Sequence, residues 1–187
     1  MTKLESASEE EQVRALAVRA RDDPQAFGQL YELFVDRLYG FALRRLGSPA
    51  EAQDVTAETF LRALEGIGGF AWRGGGFGAW LFRIARNLCN DALSHRQRLG
   101  PLFADAFPAP DSADPEQTAV AGERAAKLRA QIALLPEPQQ EAIMLKYLAG
   151  LSNRDIALAT GRTATAVSSL LNRITSKLRR KLGEGDV

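Results

Sequence analysis

Two stretches of this sequence put polar and cationic side chains at helical spacing. Arg83, Arg86, Asn87, Asn90 and Asp91 recur three and four residues apart, and near the C-terminus Ser168, Ser169, Asn172 and Arg173 do the same, followed by Lys177, Arg179, Arg180 and Lys181. Arginine and lysine neutralise phosphates, and asparagine can pair with the edge of a base. The chemistry open to both stretches is therefore the binding of a polyanion, with an ordinary solvated helix face as the alternative. Covalent and metal chemistry have little to work with. One cysteine, Cys89, and one histidine, His95, exclude an intramolecular disulfide and leave too few ligands for a structural zinc site. The sequence holds no phosphate-cradling motif, so no catalytic residue, metal or cofactor is expected.

The net charge of +1 over 187 residues conceals a strong alternation. Residues 73–98 hold five arginines against one aspartate, net +4, and residues 150–187 hold seven bases against three acids, again +4. Between them, residues 99–123 have five acids and no base, net −5. Two basic segments divided by an acidic one suggest two surfaces for a polyanion. No stretch approaches the roughly 18 apolar residues of a membrane span. The N-terminus, with Glu5, Glu9, Glu10 and Glu11, is acidic where a signal peptide would be basic. A cytoplasmic protein is expected.

The elements that must position these residues read as helices throughout. Phe27, Leu30, Tyr31, Phe34, Leu38 and Phe41 step by three and four along a helix ending at Leu46, before Gly47. Ser48, Pro49 and Glu51 form a helix start with a capping-box pattern, and that helix should run to about Leu64. It carries Asp54, Glu58 and Glu65 among Val55, Phe60, Leu61 and Leu64, a mixture suited to a protein partner rather than DNA. Residues 66–78 form a loop with seven glycines. A third helix follows from Trp80 to about Ser94, with Leu81, Ile84, Ala85, Leu88 and Ala92 on its core face. Trp80 is assigned to packing, while Phe70, Trp72 and Phe77 are open between core packing and stacking on unpaired bases. Cys89, beside Leu88, reads as a partly buried structural thiol, and His95 as a surface residue.

Pro101, Pro108, Pro110 and Pro115 among Ala, Asp and Ser give a composition that cannot repay its ordering entropy, so residues 99–118 read as a linker. Beyond it, Leu128, Ile132 and Leu135 mark one helix and residues 138–148 another. Residues 153–172 then place Ala157, Gly161 and Val167 at the separations of a helix-turn-helix: a small residue for close approach, a glycine for the turn, a branched residue to seat the second helix. Ser152 and Thr163 can cap the two helices. Val167, Leu170, Leu171, Ile174 and Leu178 form the buried stripe of the second. The fold class is all-α, two small helical domains spanning 1–98 and 119–187.

Three blocks, AEAQDVTAETFLRAL (50–64), FGAWLFRIARNLCNDAL (77–93) and LPEPQQEAIMLKYLAGLSNRDIALATG (135–161), resemble the two domains of bacterial sigma factors of the extracytoplasmic-function class, in order and separation. The resemblance implies a function in transcription initiation and a role for each matching position. Asp54, Glu58 and Arg62 would dock on the clamp helices of the largest subunit of RNA polymerase. Arg83, Arg86, Asn87, Asn90 and Asp91 would engage the melted −10 element, with Asn87 where a flipped base is captured. Thr163, Ser168, Ser169, Asn172, Arg173 and Lys177 would meet the −35 duplex, and the C-terminal domain would also sit on the flap of the second-largest subunit. An anti-sigma factor is an implied partner. Ser168-Ser169-Leu170 departs from the basic run common at that point, which implies a weaker phosphate grip. Ala57 replaces a usual glutamine, and His95-Arg96-Gln97-Arg98 dilutes a usual basic run. The alternatives are a stand-alone helix-turn-helix regulator and a sigma-like decoy that captures an anti-sigma factor.

Overall fold

A computed structural model describes residues 3–72, 75–99 and 119–183. Among these the chain is helical, with no strand. The helices are α1 (Lys3–Arg19), α2 (Pro24–Leu46), α3 (Pro49–Gly66), α4 (Phe77–Leu99), α5 (Ala119–Ala133), α6 (Glu137–Ile143), α7 (Asn153–Thr160) and α8 (Ala164–Gly183). A 3₁₀ turn, Ile67–Gly69, follows α3, and α6 runs on into a π-helical turn at Met144–Leu148. Of the segment read as a linker, Leu99 closes α4 and residues 100–118 lie outside the described residues.

Local chemistry explains the boundaries. Asp23 caps α2 by accepting from the Gln25 amide at 2.9 Å with Pro24 at the first position, and Gly47 ends the helix at φ 70°. Ser48 accepts from the Glu51 amide at 3.3 Å to start α3. α4 begins three residues before Trp80, the expected start, because its first turn is itself core: Phe77 is fully buried and packs on Phe34, ring centroids 5.6 Å apart. Gly78 in that turn lies so close to its neighbours that a Cβ would stand 3.1 Å from Phe34 and 3.3 Å from Leu151.

α1 has no counterpart in the expected elements. It buries Val13, Leu16 and Ala17 against α2, and Ala20, just past its end, is buried too. Leu30, Leu38, Phe41, Leu81 and Phe82 form the centre of the N-terminal helices, and Leu145, Ile156, Val167 and Ile174 that of the C-terminal ones. The two centres join in one apolar cluster, with α7 lying along α4. Tyr31, expected on the core face of α2, sits at its edge, 44% exposed, its ring tilted 54° to that of Phe60 with centroids 4.6 Å apart.

Candidate nucleic-acid interface

α4 separates its two faces sharply. Leu81, Phe82, Ala85 and Cys89 are fully buried beneath it, and Phe82 meets Phe41 edge-on at 5.6 Å. Arg83, Asn87 and Asp91, one turn apart in succession, are exposed. Arg86 and Asn90, a step around the helix, are half-buried and engaged. Arg86 Nε donates to Glu141 Oε1 at 2.8 Å, and Asn90 Oδ1 accepts from Arg45 Nη2 at 2.7 Å. The same Arg45 nitrogen lies 2.7 Å from Glu137 and 3.7 Å from Glu141. Five residues that form one set in the sequence thus divide into an open row and an engaged row, Arg86 held by Glu141 of α6 and Asn90 by Arg45 of α2.

These contacts surround a cleft of about 650 Å³ between the N-terminal and C-terminal helices, lined by Arg44, Arg45, Arg86, Asn90, Glu137 and Arg162 among others. Two further bonds cross between the halves. Arg37 donates from Nε to the Ala149 carbonyl at 2.9 Å while its guanidinium lies over the Phe34 ring, and the Gly76 amide donates to Asp155 Oδ1 at 3.1 Å.

The loop aromatics resolve mostly as core. Phe70 and Phe77 are buried, their centroids 5.9 Å apart, and Trp80 packs half-buried against both. The glycines of the loop offer no side chains, so these rings provide the apolar surface that seats it on α2 and α4. Of the three open candidates, only Trp72 keeps part of its ring accessible, with the Arg14 guanidinium 5.7 Å from its centroid. Cys89 is more deeply placed than expected: burial pushes its thiol up to about 12, leaving it protonated and unreactive at neutral pH. His95 is exposed. Among the described residues no group of three His, Cys, Asp or Glu is placed to hold a metal ion.

The C-terminal pair has helix-turn-helix geometry. Ser152 accepts from the Asp155 amide at 3.1 Å to cap α7, and Gly161 turns the chain at φ 70°. Thr163 accepts from the Ala166 amide at 3.2 Å, so its oxygen serves α8 as a cap, although the residue is exposed. Val167, Leu170, Leu171 and Ile174 are buried, and Leu178 packs at the edge. On the other face Ser169, Asn172, Arg173 and Lys177 are exposed, the last three lining a shallow groove with Ser176 and Arg180. Ser168 does not join them. It is half-buried and accepts from Asn153 Nδ2 of α7 at 2.9 Å.

α3 offers a third surface. Asp54 is exposed, and Glu58 pairs with Arg62 one turn on at 2.7 Å. Leu61 and Leu64 are about half exposed beside them, and Tyr31 flanks the patch through Phe60.

Arg37, Arg45, Glu137 and Glu141 were absent from the sequence-derived set. A signal existed for two of them: Arg45 follows Leu38 and Phe41, and Glu141 precedes Leu145 and Leu148, each at core spacing. A charge on an apolar face needs a partner, and these are each other's.

A family model for sigma-70 region 2 matches residues 30–99, and one for sigma-70 region 4 matches residues 125–178, together more than half of the chain. The extracytoplasmic-function RNA polymerase sigma factor BldN of Streptomyces coelicolor is 38% identical over 162 residues, which is 86% of this chain but only 61% of that protein. RpoE of Cereibacter sphaeroides, described likewise, is 31% identical over 172 residues, 89% of this chain and 91% of that one. A solved structure of CnrH in complex with the cytosolic domain of CnrY aligns with a TM-score of 0.65 at 25% identity, covering 94% of this chain and 99% of that one.

Proposed function

The chain belongs to the extracytoplasmic-function class of RNA polymerase sigma factors, and from that premise we propose how its three polar surfaces share the selection of a promoter. Residues 1–98 act as the −10 and clamp-binding domain, 99–118 as a linker and 119–187 as the −35 domain. Asp54, Glu58 and Arg62, with the exposed Leu61 and Leu64, dock on the clamp helices of core polymerase. Arg83, Arg86, Asn87, Asn90 and Asp91 engage the opened −10 strand, arginines at phosphates and Asn87 at a base edge. Asn172 and Arg173 read the −35 duplex, with Ser169 beside them and Lys177 gripping phosphate. Thr163 contributes by holding the start of α8, and Ser168 by tying α8 to α7. The C-terminal helices also rest on the polymerase flap.

The observation that carries this assignment is the pairing of two separate helices, α4 and α8, each with its apolar face in the core and a polar, cationic face outward. Each face is too small for strong selective binding alone, so promoter choice requires the polymerase to hold both at a fixed spacing. Catalysis belongs to the polymerase, and the protein works in the cytoplasm without a metal or cofactor. An anti-sigma factor holds it inactive by covering the same faces.

Run-off transcription from genomic fragments with core polymerase tests this. Discrete start sites that need the protein and fade with Asn87→Ala or Arg173→Ala are expected. Core binding without initiation would leave a decoy, and no core binding would overturn the assignment.

A further inference from the structure

The cleft of about 650 Å³ between the two halves gathers the guanidiniums of Arg44, Arg45, Arg86 and Arg162 against the carboxylates of Glu137 and Glu141. The carboxylates are already used: Glu137 lies 2.7 Å from Arg45, and Glu141 lies 2.8 Å from Arg86 and 3.7 Å from Arg45. Arg44, in the last turn of α2, and Arg162, in the turn between α7 and α8, bring one guanidinium from each half. Both are exposed, and among the described residues neither has a hydrogen-bond or ion-pair partner. Arg45 is short of partners in another way, since its side chain is 5% exposed and its Nε is buried without a hydrogen bond. Like charges held around one gap repel, and between walls of protein they are screened less than in open water. A compact polyanion would relieve that repulsion.

The walls narrow its class. A guanidinium is a planar fork that takes carboxylate or phosphate through paired hydrogen bonds. One carboxylate has too few oxygens and too little charge for two unpartnered forks from separate halves, whereas a chain of phosphoryl groups has enough of both. Leu93 of α4, Pro138 of α6 and Met144 just beyond α6 give the same cleft an apolar side. Ser94 lines it too, and Asn90, with Oδ1 taken by Arg45, keeps Nδ2 to donate to the polar edge of a ring. The volume is that of an ordinary small-molecule site. We propose that this cleft binds a nucleoside polyphosphate, its phosphoryl chain on Arg44 and Arg162 and its ring against Leu93, Pro138 and Met144. Neither Arg44 nor Arg162 enters the promoter assignment, so the site stands or falls independently of it.

The test uses the full chain without added divalent cation. Binding of a fluorescent ATP analogue is read by anisotropy, with ATP, GTP and tripolyphosphate as competitors. Saturable binding of one nucleotide per chain is expected, weakened roughly tenfold by Arg44→Ala and by Arg162→Ala and unchanged by Arg173→Ala, which lies in the separate groove of α8. Arg44→Lys keeps the charge without the fork and should fall between Arg44→Ala and the unsubstituted protein, which separates loss of a contact from loss of the fold. In chains spin-labelled at the exposed positions Gln53→Cys in α3 and Thr165→Cys in α8, with native Cys89 buried, ATP should narrow the distance distribution, and Arg162→Ala should remove that effect. Tripolyphosphate competing as well as ATP and GTP would overturn the nucleoside. Equal weakening by Arg173→Ala would reveal diffuse attraction to basic surface and overturn the cleft, as would binding that leaves the distances unchanged or no saturable binding at all.

Discussion

α4 and α8 are alike in plan and unlike in circumstance. Both are long amphipathic helices with arginine and asparagine on the outward face. α8 keeps that face in solvent, apart from Ser168. α4 has part of its face engaged, Arg86 by Glu141 and Asn90 by Arg45, and its inward face set in an aromatic core of Phe41, Phe77 and Phe82, where α8 rests on Val167, Leu170, Leu171 and Ile174. A helix that reads duplex need only present its side chains, because the base edges are already in the groove. Under the proposed roles, a helix that engages an opened strand must instead hold its groups in place for a flexible partner. The difference between the two faces lies less in composition than in what the fold lays across them.

The comparison can be broken most severely at the core of α4. Phe82→Ala should cost about 3–5 kcal/mol, measured by urea unfolding, because the ring is fully buried against Phe41 and a cavity would remain. A loss below about 1 kcal/mol would mean that the aromatic core does not hold α4.

The two positive-φ glycines on either side of α7 sharpen it next. Gly150→Ala should cost about 1–2 kcal/mol for the left-handed backbone and also loosen the two halves, since Arg37 must leave the Ala149 carbonyl. Gly161→Ala meets open space and should carry only the backbone cost, with the distance between α3 and α8 unchanged. Equal effects on that distance would remove Arg37 from the interface.

A smaller effect is expected at Ser168→Ala. Losing the bond from Asn153 should cost about 0.5–1.5 kcal/mol of stability. Duplex binding by the holoenzyme should change little, whereas Arg173→Ala should weaken it several-fold. Comparable losses of binding would put Ser168 back on the reading face.

The smallest effect concerns Cys89. Burial raises its thiol to about 12 from an ordinary value of 9.0, so the protonated form is favoured by folding. That contribution to stability is complete below pH 9 and is lost as pH rises toward 12. Alkylation at pH 8 should be negligible in the folded protein and prompt in urea. Fast labelling of the native chain would show that the underside of α4 opens.

α2, α3, α4, α7 and α8 were legible because periodicity and caps agree at each: Phe34, Leu38 and Phe41 with Gly47, Ser48 with Pro49, Ser152 with Gly161. α1 escaped notice because its buried stripe of Val13, Leu16 and Ala17, carried on by Ala20 just past its end, is half alanine and Val18 on the far side is 59% exposed, which blurs the period. The aromatics at 70 and 77 could not be assigned from types alone, since a ring that stacks on a base and one that packs in a core have the same spacing. Of the site, the outward faces of α3, α4 and α8 were legible as sets. The division within α4 and the turning of Ser168 onto Asn153 of α7 were not.

The sequence by itself determined the all-helical class, the order of the basic segments and the blocks that tie the chain to its family, because these depend on local spacing and residue type. Which residues of the α4 face are engaged, which arginines are paired and where Glu141 lies were decided by tertiary structure alone. An ion pair such as Arg86 with Glu141 joins residues 55 positions apart. No local periodicity encodes that meeting; it exists only once α6 and α4 have been brought together by the apolar cluster they share.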